Sequence, residues 1–341
     1  MSMHSRYRRL SILLSCFLIA CGGGGGSGST SAELQTQSSS RQLNLCEQMP
    51  AQASSPVQLA PNAGRANPYQ RSGNPIADLN GFTNGIRTEL GLPTLSINAE
   101  ISNAAAAHSS YMASNNILTH YETAGLPGFT AATPHERIDL NFTPTLSYSG
   151  EIASSMSGNG STADNAIRAL FDAPLHRIVM LSEYESMGSG YARSSTGVDY
   201  ATQDYANYQP SIADFAIVAY PYANSTRITA AWENTETPNP MADTPFSRGT
   251  VGYPITLQGN FGSKLTLGQF KVYANCSSEV ALTVRSHDND PSIVQAENVL
   301  LAVPNQVLNP NTRYTVWVTG YYLSSSQSLQ PFDLRWSFST N

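Results

Sequence analysis

Histidine and cysteine are the residues of this chain most able to bind a metal or act as a nucleophile, and the sequence holds only six histidines and four cysteines. The segment His135-Glu136-Arg137-Ile138-Asp139 begins like the His-Glu-x-x-His signature of zinc proteases, but its fifth residue is aspartate and Pro134 favours a turn. The sequence also lacks the Gly-x-Ser-x-Gly elbow of serine hydrolases and a Gly-Lys-Ser/Thr phosphate loop. Any site must therefore be assembled by the fold from distant residues.

The first residues predict export and lipidation. A basic start followed by the apolar run 10–20 is typical of a signal peptide, which we assign to residues 1–20. Leu18-Ile19-Ala20-Cys21 resembles the processing box of bacterial lipoproteins, in which the cysteine carries the lipid. We therefore expect a membrane anchor at Cys21 and a place in the cell envelope. Because Gly22 rather than aspartate follows, we expect the outer membrane.

Two cysteines remain once the signal peptide, with Cys16, and the anchor are set aside. Cys46 and Cys276 can pair in an oxidising compartment, and a bridge would join the N-terminal segment to the C-terminal region. Two unpaired thiols are the alternative.

The charge of the chain excludes one class of partner. Charged residues make up 12% of the sequence, and the net charge is −6. No basic stripe is visible, so we expect no nucleic acid partner. No segment after the signal peptide is long and apolar enough to predict a transmembrane helix.

The rest of the chain divides by composition and periodicity. Residues 21–75 are rich in Gly, Ser, Gln, Asn and Pro and predict a flexible tether. Helical periodicity then predicts one helix from Ala77 to Gly91, a second from Asn98 to Asn115, and a third over 164–170.

Beyond Pro238 apolar residues alternate with polar ones in short runs separated by turns, which predicts a β-sandwich over residues 237–341. Leu308-Asn309-Pro310-Asn311-Thr312-Arg313-Tyr314 resembles the tyrosine corner of immunoglobulin-like domains, in which the tyrosine hydroxyl bonds to upstream backbone. We therefore expect an all-β immunoglobulin-like sandwich.

Several segments resemble, in order, the bacterial branch of the CAP superfamily (cysteine-rich secretory protein, antigen 5 and pathogenesis-related 1-like). The resemblance covers residues 76–236. The segments that carry it are Asn84-Gly85-Ile86-Arg87, Gly91-Leu92-Pro93, His108-Ser109-Ser110-Tyr111-Met112, Leu118-Thr119-His120-Tyr121-Glu122, Gly128-Phe129-Thr130, Pro134 with Arg137, Gly150-Glu151-Ile152-Ala153, Ala173-Pro174-Leu175-His176-Arg177 and Tyr220-Pro221.

The resemblance implies an α/β fold, an α-β-α sandwich, with a shallow cleft of histidines and carboxylates that bind a divalent metal in many members. His120, Glu151 and His176 match residues of that cleft, and two imidazoles with one carboxylate would suit zinc. Ile152 departs from the family's Gly-Glu-Asn motif. Glu122, by its proximity to His120, is the candidate for the fourth corner. His108, on the apolar stripe of its helix, is either a hydrogen-bonded core residue or a further ligand.

Two functions follow from this interpretation. The favoured one is a non-enzymatic envelope protein whose CAP domain binds a protein, a lipid or another ligand through the cleft. The alternative is a metal-dependent, peptidase-like hydrolase that acts on an envelope or extracellular polymer, with Glu151 as ligand or general base.

Overall fold

The computed structural model describes residues 44–64, 66–292 and 294–341. The predicted signal peptide, Cys21 and the first half of the predicted tether lie outside the described residues. Residues 42–341 form one compact unit.

Five helices are present in the described part of the chain, and none of them is long and apolar enough to cross a membrane. They are α1 (Pro75–Glu89), α2 (Ala99–Asn115), α3 (Pro134–Asp139), α4 (Ala163–Asp172) and α5 (Pro174–Leu181).

In the described residues the strands form three larger sheets and one two-stranded sheet. The strands are β1 (Gln58–Leu59), β2 (Ser96–Ile97), β3 (Ser149–Met156), β4 (Tyr184–Arg193), β5 (Asp199–Tyr208), β6 (Ala216–Tyr220), β7 (Ala231–Glu233), β8 (Thr250–Gly252), β9 (Ile255–Gln258), β10 (Lys264–Ala274), β11 (Ser278–Glu279), β12 (Leu282–Ser286), β13 (Val299–Pro304), β14 (Arg313–Leu323) and β15 (Leu329–Ser339).

The helix boundaries follow from local capping. The side chain of Asn74 accepts a hydrogen bond from the amide of Ala77 at the start of α1, and Asn98 accepts bonds from the amides of Glu100 and Ile101 at the start of α2. The predicted first, second and third helices correspond to α1, α2 and α4. Gly91 ends the first of them in a left-handed conformation, and a Cβ there would meet the carbonyl oxygen of Pro61 at 2.5 Å.

The α/β layer has helices on both faces of the sheet β2-β4-β5-β3. Tyr200 and Ala206 of β5 pack among apolar residues of α2, whereas Ala201 and Tyr205 pack in the core that includes α1 and α4. Because side chains alternate along a strand, one strand supplies both cores. The predicted three-layer α-β-α arrangement is present.

Beside this three-layer part, which we call the α/β layer, lies a second part of the fold, which we call the β layer. The β layer consists of the sheets β1-β6-β9-β13-β12 and β11-β10-β14-β15, which enclose a common apolar core. The hydroxyl of Tyr314 accepts a hydrogen bond from the amide of Asn309 at 2.7 Å, the contact expected of the tyrosine-corner segment. Strand β6, inside the segment predicted as the CAP domain, is paired with β9, so the two layers share chain on both sides of residue 236.

Strand β13 does not alternate apolar with polar residues, and the reason is its burial. Its residues Val299–Pro304 are all buried, with Leu300 and Ala302 in the inter-sheet core and Leu301 in a core that includes Trp232 and Ala173. A strand covered on both faces has no polar residues with which to alternate.

Arg177 holds the helical layer to this sheet. Its guanidinium donates to the carbonyl oxygens of Phe171 and Asp172 at the end of α4 and to that of Pro254 just before β9. The same group lies 4.8 Å from the ring centroid of Tyr220. Each donor bond replaces one to water, so a fully buried cation is tolerated here.

The predicted tether differs from the structure over its described part, which lies against the body. Strand β1 pairs in parallel with β6, the side chain of Gln52 donates to the carbonyl oxygen of Asp333, and Val57 is buried. These contacts join residues far apart in sequence, which composition does not reveal. Cys46 and Cys276 form a disulfide bond, with an S–S distance of 1.95 Å.

Removing this disulfide should lower stability, because it closes a loop between residues 230 positions apart and so restricts the unfolded chain. On the chain-entropy account, replacing both Cys46 and Cys276 by serine costs up to about 5 kcal/mol. Guanidinium unfolding of the double variant and of the parent, with and without reductant, measures the loss. An unchanged midpoint in both comparisons would contradict the prediction.

Candidate functional site

A group of charged and titratable side chains lies on the α2 face of the α/β sheet. It draws residues from α2, from the loop that follows it, from α3, and from the facing strands β3 and β5. We call it the charge cluster, and it comprises His108, His120, Glu122, Arg137, Glu151 and Asp204.

His120 and Glu151 form the part of the cluster that reaches the surface. Nδ1 of His120 lies 2.8 Å from Oε1 of Glu151, and the His120 side chain is 40% exposed whereas that of Glu151 is 1% exposed. A carboxylate can only accept, so Nδ1 carries a proton, and in the neutral imidazole Nε2 keeps its lone pair. Nε2 has no hydrogen-bond partner among the described residues. Glu151 thus fixes the orientation of the imidazole through Nδ1, and Nε2 is left without a hydrogen-bond partner in the described part of the chain.

Arg137 holds this pair in place. Its Nη2 donates to Oε2 of Glu151 at 2.5 Å and to the backbone carbonyl oxygen of His120 at 3.0 Å. The side chain is buried and starts from α3, a helix of six residues whose N-terminus is closed by a reciprocal capping box between Thr133 and Glu136. One guanidinium therefore fixes both the carboxylate and the loop that carries the histidine.

His108 and Glu122 make a second, fully buried pair. Nδ1 of His108 lies 2.9 Å from Oε1 of Glu122, and Nε2 lies 2.7 Å from the carbonyl oxygen of Thr119. Both neighbours are acceptors, so the doubly protonated imidazolium satisfies both contacts. The other oxygen of Glu122 accepts from the amide and the hydroxyl of Thr130.

Asp204 lies directly opposite Glu151 in the antiparallel pairing of β3 with β5. Neither of its oxygens has a hydrogen-bond partner among the described residues. Burial, reinforced by the negative charge of Glu151, raises the pKa of Asp204 well above its usual range. Burial and the neighbouring charge of Glu151 therefore favour the protonated, neutral form of Asp204.

Glu151 is shifted in the other direction. Burial acts to raise its pKa, but the hydrogen bond from His120 and the charges of His108 and Arg137 outweigh burial and lower it. With Asp204 neutral, the cluster holds two carboxylates and two cations. This balance lets ionised groups remain out of water.

The structure brings together four of the five residues expected from the sequence. His120 and Glu151 are in contact, and the second-tier candidates Glu122 and His108 lie beside them. The remaining candidate, His176, does not join them. Its Nδ1 lies 2.6 Å from Oε1 of Glu236, and the same oxygen accepts from the His176 backbone amide.

The reason for the separate position of His176 is the start of α5. The residue before this helix, Ala173, has no side chain that can cap it. The free amide of His176 in the first turn therefore takes Glu236 as its acceptor, and the carboxylate also suits the positive end of the helix. The shared cleft of His120, Glu151 and His176 expected from the resemblance is therefore not the arrangement observed.

Two residues of the cluster were absent from the expected set. Arg137 was noted only as part of the resemblance. Asp204 matches no residue of the family motifs, but it is the one charged residue in the run 200–208, and an isolated carboxylate in a predominantly uncharged segment indicates a candidate site residue. Ile152, the departure from the family motif, lies on the opposite face of β3 in the core with α1, so it does not alter the cluster.

The donor atoms do not fit the metal that the resemblance implies. A catalytic zinc takes three protein ligands, each with a free lone pair. Both nitrogens of His108 and both oxygens of Glu151 are already engaged, which leaves Nε2 of His120 and the fully buried carboxyl group of Asp204, fewer than the three ligands required. Across the described residues no group of three or more His, Cys, Asp or Glu side chains is arranged to hold a metal ion. We therefore derive no step through a metal.

The loop around His120 exposes apolar side chains. Tyr121 is 65% exposed, and four other apolar side chains nearby in sequence are also exposed. We call this set the apolar rim, and it comprises Ile117, Leu118, Tyr121, Leu126 and Phe129. Exposed apolar residues grouped in one loop are a common feature of interaction sites.

Asp204→Asn should stabilise the protein increasingly as pH rises. In the parent the folded group stays protonated above its unfolded pKa of about 4 while the unfolded group ionises, so stability falls by about 1.4 kcal/mol per pH unit. Asparagine has a similar shape and no such loss. Urea unfolding at pH 4.5, 5.5 and 7 should show that the free energy of unfolding of Asp204→Asn exceeds that of the parent by an amount that grows with pH. A constant difference, or the same trend in the exposed control Asp139→Asn, would contradict this.

Comparison with known proteins agrees with the resemblance seen in the sequence. Residues 81–205 match the model of the cysteine-rich secretory protein family, CAP. No curated protein sequence gave a significant match.

Among solved structures, an outer surface protein of Borrelia burgdorferi is 19% identical over 38% of this chain and 90% of its own, with a TM-score of 0.32. An extracellular protein containing an SCP domain from Bacillus anthracis is 21% identical over 40% of both chains, with a TM-score of 0.33. On the family match over residues 81–205, this chain contains a CAP domain of the cysteine-rich secretory protein family.

Proposed function

We propose that this chain is a lipid-anchored bacterial envelope protein whose CAP domain binds an amphipathic, lipid-like ligand without transforming it. The observation that carries the proposal is Nε2 of His120, which has no partner among the described residues and belongs to the same loop as the apolar rim, while Nδ1 is held by Glu151.

The internal pairing of the cluster favours binding over catalysis. Glu151 is bonded on both oxygens, both nitrogens of His108 are engaged, and the two side chains are 1% and 0% exposed, so neither group is accessible to a substrate. Nε2 of His120 has no serine, threonine or cysteine within hydrogen-bond distance in the described part of the chain. A general base needs such contact with the group it activates. The metal-dependent hydrolase is not favoured.

The ligand class follows from the two parts of the surface. Nε2 of His120 can accept a hydrogen bond from a hydroxyl or an acid, or can bind an anionic head group once protonated. Leu118 and Tyr121 flank it in sequence and supply apolar contact area. A molecule with an apolar body and a single polar head meets both demands. A partner protein or an envelope polymer would instead need contacts spread more widely than this loop.

The sequence supports the proposed location. The basic start, the apolar run 10–20 and Cys21 favour lipid anchoring, and Gly22 favours sorting to the outer membrane of a Gram-negative host. The disulfide between Cys46 and Cys276 suits an oxidising compartment. We further propose that the C-terminal strands form an immunoglobulin-like sandwich that presents the CAP domain away from the membrane.

Palmitate should bind to residues 42–341, and His120→Ala and Tyr121→Ala should each weaken binding by about tenfold, the effect of losing one good contact. Isothermal titration calorimetry measures the affinity. His287→Ala, which alters a partly exposed histidine of the C-terminal sheets, is the matched control. Equal affinity in all variants would reject the site, and no binding by the parent would reject the lipid-like ligand.

Cys21→Ser should release the protein from the membrane, because the substitution removes the thiol to which lipid would be attached. Membrane fractionation, together with the intact mass of the mature protein, measures the change. Cys16→Ser should leave both unchanged. A parent protein that lacks lipid mass and fractionates like Cys21→Ser would contradict the anchor.

A further inference from the structure

A second concave site lies away from the charge cluster, between the turn after β9 and the segments that precede β3 and β4. Its volume is about 270 Å³. Its lining combines aromatic, amide and carboxylate side chains: Tyr148, Glu183, Gln258, Phe261, Glu297 and Asn298. Small-molecule sites typically combine an apolar wall with a few oriented polar groups in this way.

The aromatic wall is exposed and ordered. The Phe261 ring centroid lies 5.2 Å from that of Tyr148 and 5.1 Å from that of Tyr208. Phe261 is 50% exposed and Tyr208 is 38% exposed. The ring plane of Phe261 is tilted by 57° from that of Tyr148 and by 42° from that of Tyr208, and Tyr148 and Phe261 line the cavity. We call these three rings the platform, and their electron-rich faces attract positively polarised C–H groups.

Glu183 holds the platform in position. One of its oxygens accepts from the amides of Ser211 at 2.6 Å and Ile212 at 2.8 Å, and the other accepts from the amide of Phe261. This buried carboxylate joins two chain segments at the wall. The platform is therefore formed before any ligand arrives, which lowers the entropic cost of binding.

Two amide oxygens face this site with their orientation determined. Nε2 of Gln258 donates to Oγ of Ser182, whose own proton goes to the carbonyl oxygen of Ile178. Nδ2 of Asn298 donates to the carbonyl oxygens of Gly259 and Asn260. Since both nitrogens are used as donors, Oε1 of Gln258 and Oδ1 of Asn298 remain, without partners among the described residues.

The polar side chains of the lining favour a ligand that has many hydrogen-bond donors and no negative charge. Gln258 and Asn298 offer acceptors, whereas the carboxylate of Glu297 already lies 3.6 Å from Nζ of Lys264 and 3.8 Å from Nε2 of His287. The lining includes two carboxylates and no Lys, Arg or His, so an anionic ligand is disfavoured. A sugar ring has hydroxyl donors on its edge and C–H groups on its face. We propose that this cavity binds an uncharged oligosaccharide, stacked on Phe261 and hydrogen-bonded to Gln258 and Asn298.

The test uses the full chain in a sugar-free zwitterionic detergent. Calorimetry with cellotriose and chitotriose, which are uncharged, and with trigalacturonate, which is acidic, compares the affinities. At least one uncharged trisaccharide should bind, and trigalacturonate should bind at least tenfold more weakly. Phe261→Ala and Tyr148→Ala, which remove the two aromatic rings of the lining, should each weaken binding by about tenfold, the effect of losing one apolar ring contact.

Two controls separate this site from others. Tyr321→Ala removes an equally exposed ring from β14 and should leave the affinity unchanged. His120→Ala should also leave it unchanged, so the outcome is independent of the proposed lipid-like ligand. The proposal is overturned if neither uncharged sugar binds, if binding survives both ring variants in folded protein, if His120→Ala abolishes it, or if trigalacturonate binds as tightly.

Discussion

The buried contact between Arg137 and Glu151 is the interaction on which the arrangement of the charge cluster depends. Through its bond to the carbonyl oxygen of His120, the same guanidinium holds the loop that carries the exposed imidazole. Charges this deeply buried persist only when each is compensated. His108 and Glu122 supply the second compensating pair, and a protonated Asp204 avoids adding a third negative charge. The site is thus rigid because its charges cannot be separated without leaving one unpaired.

This balance explains why family resemblance and local chemistry lead to different expectations. A histidine and glutamate cleft suggests a metal when only residue types are considered. Once hydrogen bonds are assigned, both nitrogens of His108 and both oxygens of Glu151 have partners, and the acceptor atoms left without one among the described residues are Nε2 of His120 at the surface and the buried oxygens of Asp204. The geometry therefore suits recognition of a ligand by one oriented imidazole and an apolar rim, rather than the assembly of a coordination sphere.

The two layers of the fold share elements, and this sharing creates the second candidate site. Strand β6 belongs to the five-stranded sheet, and α5 packs on the outer face of that sheet through Leu175 and Ile178. The turn after β9 is thereby brought against Tyr148 and Glu183 of the α/β layer. The cavity is a product of that junction, and its walls come from segments that are far apart in the chain.

The sequence by itself determined the local features of this protein. Asn74 and Asn98 cap helices, Gly91 ends one, and alternation marks several strands after residue 250, because these features depend on neighbours a few residues away. It also indicated His120 and Glu151, through motifs held in order along the chain. Only the tertiary structure decided that His176 pairs with Glu236, that Asp204 faces Glu151, and that residues 44–64 pack on the body. Those outcomes depend on which distant groups become the available partner for a buried charge or a free backbone group, and no short segment contains that information.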